Sequence, residues 1–300
     1  MAIADTAKRW LDEDLDHCDL EVRVSYLSIF ARSVLVAIGF ALSAMPGHAQ
    51  KAAPDRCLAF AQAPAPAWGH HRPIVRAALE SHQVGLRYLG HSTFYLTSPK
   101  GVSAVTDYND YVSVNPTPTI ATMNLAHDTH HSLNPDPNIK HVLKGWNPTP
   151  GKAQIHDLTL QDLRVRNIPT NIRTFGDESA YHKYGNSIFV FEVSGLCIAH
   201  LGHLHHTLTV QQLGQVGQMD VVMVPVDGSY TLDVPGMMEV LKALKAPLII
   251  PMHYFSEFTL GRFVEAAQKN FAVRRLPTSE ITISRDLLPA KPEVWVLPQG

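Results

Sequence analysis

"GNSIFVFEVSGLCIAHLGHLHHTL", residues 185–208, holds two patterns in one line. Its first part is rich in β-branched and aromatic residues, and Ser194-Gly195 breaks it as a hairpin turn would. Its second part carries four histidines in ten positions: His200, His203, His205 and His206. A strand that ends in histidines is a way to aim imidazoles from a rigid sheet. What these residues do depends on what else the chain can bring to the same point.

Working outward, the upstream segments read as strands. "GLRYLGH", "TFYLTS" and "VSAVTDY" are short runs broken by Gly, Pro and Ser turns. "TIATMNL" (119–125) runs into the loop "AHDTHHS", and "KHVLKGW" (140–146) and "LTLQDLRVRNIP" (158–169) add further strands. Downstream the texture changes. "TVQQLGQVGQM" (209–219) spaces Val210, Leu213 and Val216 helically behind a Thr cap. "DVVMVPV" is a continuous apolar strand, "VPGMMEVLKALK" (234–245) an amphipathic helix, "APLIIPMHY" a buried strand ending in His253, and "LGRFVEAAQKN" a helix. Strands first, then alternating strand and helix, predict an α/β protein with a sheet-on-sheet core and helices outside.

Composition bounds the function. The chain has 300 residues, 45% hydrophobic and 17% charged, with a net charge of −2 and no Lys/Arg run. That balance argues against nucleic acid and against an anionic membrane surface, and leaves a small-molecule substrate as the expected partner. Cys18, Cys57 and Cys197 are too few for a disulfide framework or a Cys-type zinc site. "SVLVAIGFALSAM" (Ser33–Met45) follows Arg23 and Arg32 and precedes Gly47 and Ala49. This reads as a secretory signal peptide cleaved after Ala49, too short for a stable membrane span, and it places the mature protein in the periplasm or outside the cell. Residues 1–22 carry seven acidic and two basic side chains, which suits no signal peptide, so translation is expected to begin near Val24. An uncleaved membrane anchor is the alternative. The expected organisation is a leader over 1–49, an Ala/Pro-rich tether over 50–81 with a short helix at Pro73–Ser81, and one domain over 82–300. Cleavage leaves Cys57 and Cys197 in an oxidising compartment, with no sequence signal for whether they pair.

Three histidine groups follow strands: His127, His130 and His131; the group at 200–206; and His253. Imidazole is a common ligand for zinc and for iron, copper and nickel. A lone histidine such as His141 or His156 is more often a surface residue, and His70-His71 falls in the tether. Three strand-end groups together point to metal, with His127, His130, His203 and His253 as the first-choice ligands.

The order of these segments resembles the metallo-β-lactamase fold superfamily, and within it the branch of metal-dependent hydrolases that includes L-ascorbate-6-phosphate lactonase-like proteins. "LRYLGHSTFYL" is similar to the opening strand pair and "AVTDY" to the strand that brings an Asp, here Asp107, near the site. "GNSIFVFEVSGLCIAHLGHL", "DVVMVPVDGSYTLD" and "LIIPMHY" resemble the later segments. The resemblance implies a four-layer αβ/βα sandwich and a hydrolase that acts on a lactone, ester, amide or phosphodiester through a metal-bound water. The family's H-x-H-x-D-H signature fits in two registers. From Leu125, His127 and His130 match, while Leu125 and Thr129 replace a His and the Asp. From His127, only His127 matches, and this register suits the strand end better. The family's third His falls near "IPTNIRTFGD", where Asn171 and Ile172 stand and His182 is the nearest candidate. His203 falls on the bridging Asp, and His253 on the closing His.

With that bridge an imidazole, the resemblance implies one divalent ion instead of two, zinc before iron, manganese or nickel. His131, His205 or His206 could replace one ligand. Asp107 and Asp227 could orient ligand imidazoles, or simply cap turns. Asp227 and Tyr230 are the candidates for a part in catalysis, Tyr230 as a donor to a substrate oxygen. His200 is equally a core hydrogen-bonder or a supporting group, and His91 lies near the site by analogy. Two other functions remain open: a metal- or ligand-binding protein without hydrolysis, and a histidine-rich scavenging surface.

Overall fold

A computed structural model describes residues 57–58, 79–174 and 177–300. The leader, and all of the tether except residues 57, 58 and 79–81, lie outside the described residues. The end of the segment expected as a short helix, 79–81, is irregular and opens a turn.

The opening stretch forms the hairpin its turn predicts. Strands β8 (Asp177–Val193) and β9 (Leu196–His200) pair antiparallel, with Val193 opposite Leu196, so only Ser194 and Gly195 turn the chain. Both have positive φ, 52° and 71°, the requirement of a tight hairpin of this hand. Next come helix α1 (Val210–Val216), strand β10 (Val221–Pro225), helix α2 (Val234–Leu244), strand β11 (Leu248–Met252) and helix α3 (Glu257–Ala267). Each helix starts where its cap dictates. Thr209 with Gln212, and Ser256 with Thr259, form reciprocal capping boxes, and Asp233 accepts from the Gly236 amide.

Two sheets result. The first has the order β13-β1-β2-β3-β4-β5, from β1 (Val84–Gly90), β2 (Thr93–Thr97), β3 (Ser103–Val105), β4 (Ile120–Met123), β5 (His141–Lys144) and β13 (Glu280–Ile283). The second has the order β12-β14-β11-β10-β9-β8-β7-β6, adding β6 (Asp157–Leu160), β7 (Leu163–Thr174), β12 (Ala272–Arg275) and β14 (Glu293–Val296). Strands β9, β10 and β11 run parallel, joined by helical crossovers. Every residue of these three strands is buried, as strands covered on both faces must be.

One core joins the sheets. Leu86, Tyr88, Phe94 and Ile120 of the first sheet share it with Ile188, Phe191 and Val222 of the second. Met237, Leu241, Leu260 and Phe263 bring α2 and α3 into the same cluster. Each such side chain contributes about 1.5–3 kcal/mol on burial. A smaller cluster, Tyr95, Val105, Ala121 and Ile139, lies apart from it. The result is an α/β sandwich of two sheets, as the order of segments predicts. The span expected as one strand over 158–169 is instead the hairpin β6–β7, turning at Gln161-Asp162. Cys57 forms a disulfide with Cys197 of β9. No helix among the described residues is long and apolar enough to cross a membrane.

Candidate metal centre

The fold delivers six side chains to one end of the sandwich. Asp107 follows β3, His130 closes a short 3-10 turn (Asp128–His130) after β4, and His203, Asp227 and His253 follow β9, β10 and β11. The carboxyl ends of parallel strands are where an α/β sheet opens a crevice. His91 joins from the β1–β2 turn, and the His253 amide donates to the His91 carbonyl at 2.6 Å. His91, Asp107 and His253 have positive φ of 51°, 43° and 54°. Left-handed backbone is unfavourable for side chains like these and gathers where function requires it.

Two imidazoles are backed by carboxylates. His130 Nδ1 lies 2.6 Å from Asp107 Oδ2, and His253 Nδ1 lies 3.0 Å from Asp227 Oδ2. Asp227 also accepts from the Thr231 hydroxyl and from the amides of Ser229 and Tyr230. Burial pushes its pKa up, but the His253 hydrogen bond and charge, with those donors, hold it well below the usual carboxylate range. Asp107 is fully buried, and that burial raises its pKa against the pull of His200 and the Asn124 amide.

A carboxylate only accepts, so each Nδ1 carries the ring proton and each Nε2 presents a lone pair. These two Nε2 atoms face each other at 3.1 Å. A proton between them would create an imidazolium beside other histidines at a buried point. Burial first, then the charges of His253, His91 and His127, push the His130 pKa well below its ordinary value. A divalent cation accepts both lone pairs without that penalty, and the carboxylate behind each ring is the support that metal-ligating histidines use. His91 completes the set: one ligand atom each from His91, His130 and His253 lies within 4.8 Å of the others. The His91 Nε2 is buried without a partner, and burial, then His253, lowers the ring's pKa to about 4. The donor set fits a cation.

The other expected residues take different places. His203 is in the centre, its ring 4.8 Å from those of His130 and His253, but its Nδ1 is engaged by His205 at 2.6 Å. His127 is exposed at the rim, 4.8 Å from His203 between ring centroids. His205 is held by Arg173, and burial, then the Arg173 charge, bring its pKa to about 3. His131 donates to the Asn124 carbonyl and packs on Trp146. His206 accepts from the Asn171 amide. His200 is buried, bonded to the Ser92 carbonyl and the Gly202 amide, and is a core hydrogen-bonder. His182 is exposed on the wall of the cleft. The structure therefore moves His91 from a supporting position into the converging group. Arg173, Ser92 and Asn124 went unseen in the sequence. Arg173 lies one residue before the end of β7, where spacing marks nothing.

Beside the centre is a cleft of about 770 Å³, lined by Leu125, His127, Ile172, Arg173, His203 and Tyr230 among others. Phe255, 57% exposed, lies tilted beside His91, and it meets His253 and Tyr230 edge-on at 5.4 and 5.5 Å.

Comparison with known proteins agrees with the fold. A structure from Thermotoga maritima, assigned to the zinc-dependent hydrolases of the metallo-β-lactamase superfamily, superposes with a TM-score of 0.52 at 27% identity, covering 71% of this chain and 98% of that one. A metal-dependent hydrolase of Thermoplasma volcanium is 38% identical over 71 residues, 23% of this chain and 31% of that protein. One from Thermoplasma acidophilum is 32% identical over 95 residues, 31% of this chain and 41% of that protein. The chain thus matches less than half the length of these curated relatives. The profile of the beta-lactamase superfamily domain matches residues 85–253, more than half of the chain, and the protein belongs to that superfamily.

Proposed function

We propose that the protein is an exported hydrolase that uses one divalent cation, zinc first, held by His91, His130 and His253. The observation that carries the reading is the pair of facing Nε2 atoms, each ring anchored through Nδ1 to a buried carboxylate. A cation bound there supplies a Lewis acid at the mouth of the cleft. The protein's own groups do the rest. Asp107 and Asp227 fix the rings, and Leu125 and Ile172 give the cleft an apolar wall. Tyr230 and Phe255 form an aromatic rim over the centre, with the Tyr230 hydroxyl available to a substrate oxygen. A small lactone, ester, amide or phosphodiester suits a cleft of this size and lining. The signal-peptide pattern and the Cys57–Cys197 disulfide support export to an oxidising compartment.

The test is metal content by mass spectrometry after zinc reconstitution, paired with hydrolysis of a panel of lactones, esters and phosphodiesters. One zinc per chain with turnover is expected, and His253→Ala should lose both. A wild type that retains no metal overturns the reading. N-terminal sequencing of the exported protein should begin at Gln50.

A second reading is favoured by His203 standing where the resemblance places a bridging carboxylate: a metal- or ligand-binding protein without hydrolysis. Stoichiometric zinc without turnover on that panel would select it. A scavenging surface fits least, because His130, His203 and His253 are buried.

A further inference from the structure

We propose that Arg173 and His205 fix the tautomer of His203, so that His203 presents an N–H donor to a substrate or product oxygen and is not a ligand of the metal. The inference rests on the proposed metal centre for the place of the ion. The tautomer itself follows from hydrogen-bond direction alone.

Two hydrogen bonds leave one solution. A guanidinium only donates. Arg173 Nε lies 3.1 Å from His205 Nδ1, so that nitrogen accepts and carries no proton. The proton of His205 then sits on Nε2, which lies 2.6 Å from His203 Nδ1 and donates to it. His203 Nδ1 is therefore the acceptor, and the His203 proton sits on Nε2. His130 and His253 have the opposite tautomer, because their Nδ1 partners are carboxylates. The centre thus contains the Nε2 lone pairs of His130 and His253, with His91 beside them, for a cation, and one N–H that cannot ligate it.

The chain is held at both ends. The Arg173 guanidinium also donates to the carbonyls of Ser229 and Thr231, at 3.1 and 2.8 Å, which stops it turning away. The His203 amide is fixed by Asn186 Oδ1 at 2.7 Å. His203 is 1% exposed and its Nε2 has no partner. A buried donor without an acceptor is destabilising, and a bound oxygen removes that cost. His203 and His205 both line the cleft, so that oxygen comes from the substrate side. A donor fixed in advance beside a cation is the arrangement that stabilises charge developing on a carbonyl or phosphoryl oxygen. Arg173 and His205 are positioning residues.

Long-range proton–nitrogen spectra of the mature protein with 15N-labelled histidine test this directly. In the metal-free protein, His203 should show a protonated Nε2 and a bare Nδ1, and zinc should perturb the Nε2 of His130 and His253 far more than that of His203. Arg173→Met should convert His203 to a tautomer mixture while zinc stoichiometry stays at the wild-type value. Zinc titration should give His203→Gln an affinity within about threefold of wild type, against a loss above about 100-fold for His130→Gln. Inorganic phosphate, as the oxygen probe on the zinc-loaded protein, should bind at least about 10-fold more weakly to His203→Ala. A bare His203 Nε2 in the wild-type spectrum, zinc loss in His203→Gln equal to that in His130→Gln, or unchanged phosphate binding in His203→Ala each overturns the inference. If the wild type binds no zinc, the hydrolase reading and the role given to the donor both fall, while the metal-free spectrum still decides the tautomer.

Discussion

Asp227 performs two tasks with its two oxygens. Oδ1 accepts the amides of Ser229 and Tyr230, and Oδ2 takes the Thr231 hydroxyl and the His253 ring. Asp227→Asn keeps an acceptor for the loop and removes the anion behind His253. Its zinc affinity should fall by about 10–100-fold with little change in urea midpoint, measured by competition with a chromogenic chelator. Loss of both together would mean that Asp227 serves the loop only. Orientation by Asp107 and Asp227 was legible, because each follows an apolar strand. His91 was legible only in part. Its "LGHS" turn looks like any hairpin connection, and the signal it offered was a histidine where such turns want Gly, Asn or Asp. The clustered histidines could not be sorted by spacing. His200, His203, His205 and His206 alternate in role because each finds a different partner across the sheets, which only the register supplies.

Helix α1 was the most legible, since Thr209 marks its start chemically, whereas α3 starts at Glu257 behind the Ser256 cap, three residues before the expected "LGRFVEAAQKN". The β6–β7 hairpin was hidden by its turn. Gln161 has a φ of 51°, a position where Gly or Asn would have announced the reversal. Gln161→Gly should therefore raise stability by up to about 1 kcal/mol in urea unfolding, and a loss would show that the Gln side chain contributes more than its backbone strain. Strands β12 and β13 were missed because they are short and carry exposed charges, Arg274, Arg275 and Glu280, in place of an apolar run. Gly202, in the turn that leaves β9, shows the reverse case. It has a φ of 60°, and a Cβ there would strike the Asn186 and Asn124 side chains. Those two amides hold the His203 backbone and Asp107. Gly202→Ala should destabilise by about 1–3 kcal/mol and weaken zinc binding as well, read by unfolding and by metal content. A variant with native stability and native zinc would show that the turn relaxes freely.

At the scale of the whole molecule, the disulfide links Cys57 to Cys197 across 140 residues, tying a residue upstream of β1 to a central strand. Cys57→Ser should lower stability by about 2–5 kcal/mol, most of it through the freed unfolded chain. The metal centre adds a dependence on pH. In the metal-free protein His91 and His205 titrate near 4 and 3, because burial and neighbouring charge oppose their protonation. Unfolded, each takes a proton near the ordinary histidine value of about 6.5. Between those limits the unfolded chain binds more protons than the folded one, so stability rises with pH. It is fully present above about 6.5 and is lost progressively as pH falls toward 4 and 3. Thermal unfolding in chelator should show Tm at least about 4 °C lower at pH 5 than at pH 7.5. Zinc should raise Tm at pH 7.5 and do so less at pH 5, because protons and the ion compete for the same imidazole nitrogens. A metal-free Tm unchanged across that range would mean that these rings accept protons in the folded state as readily as in the unfolded one.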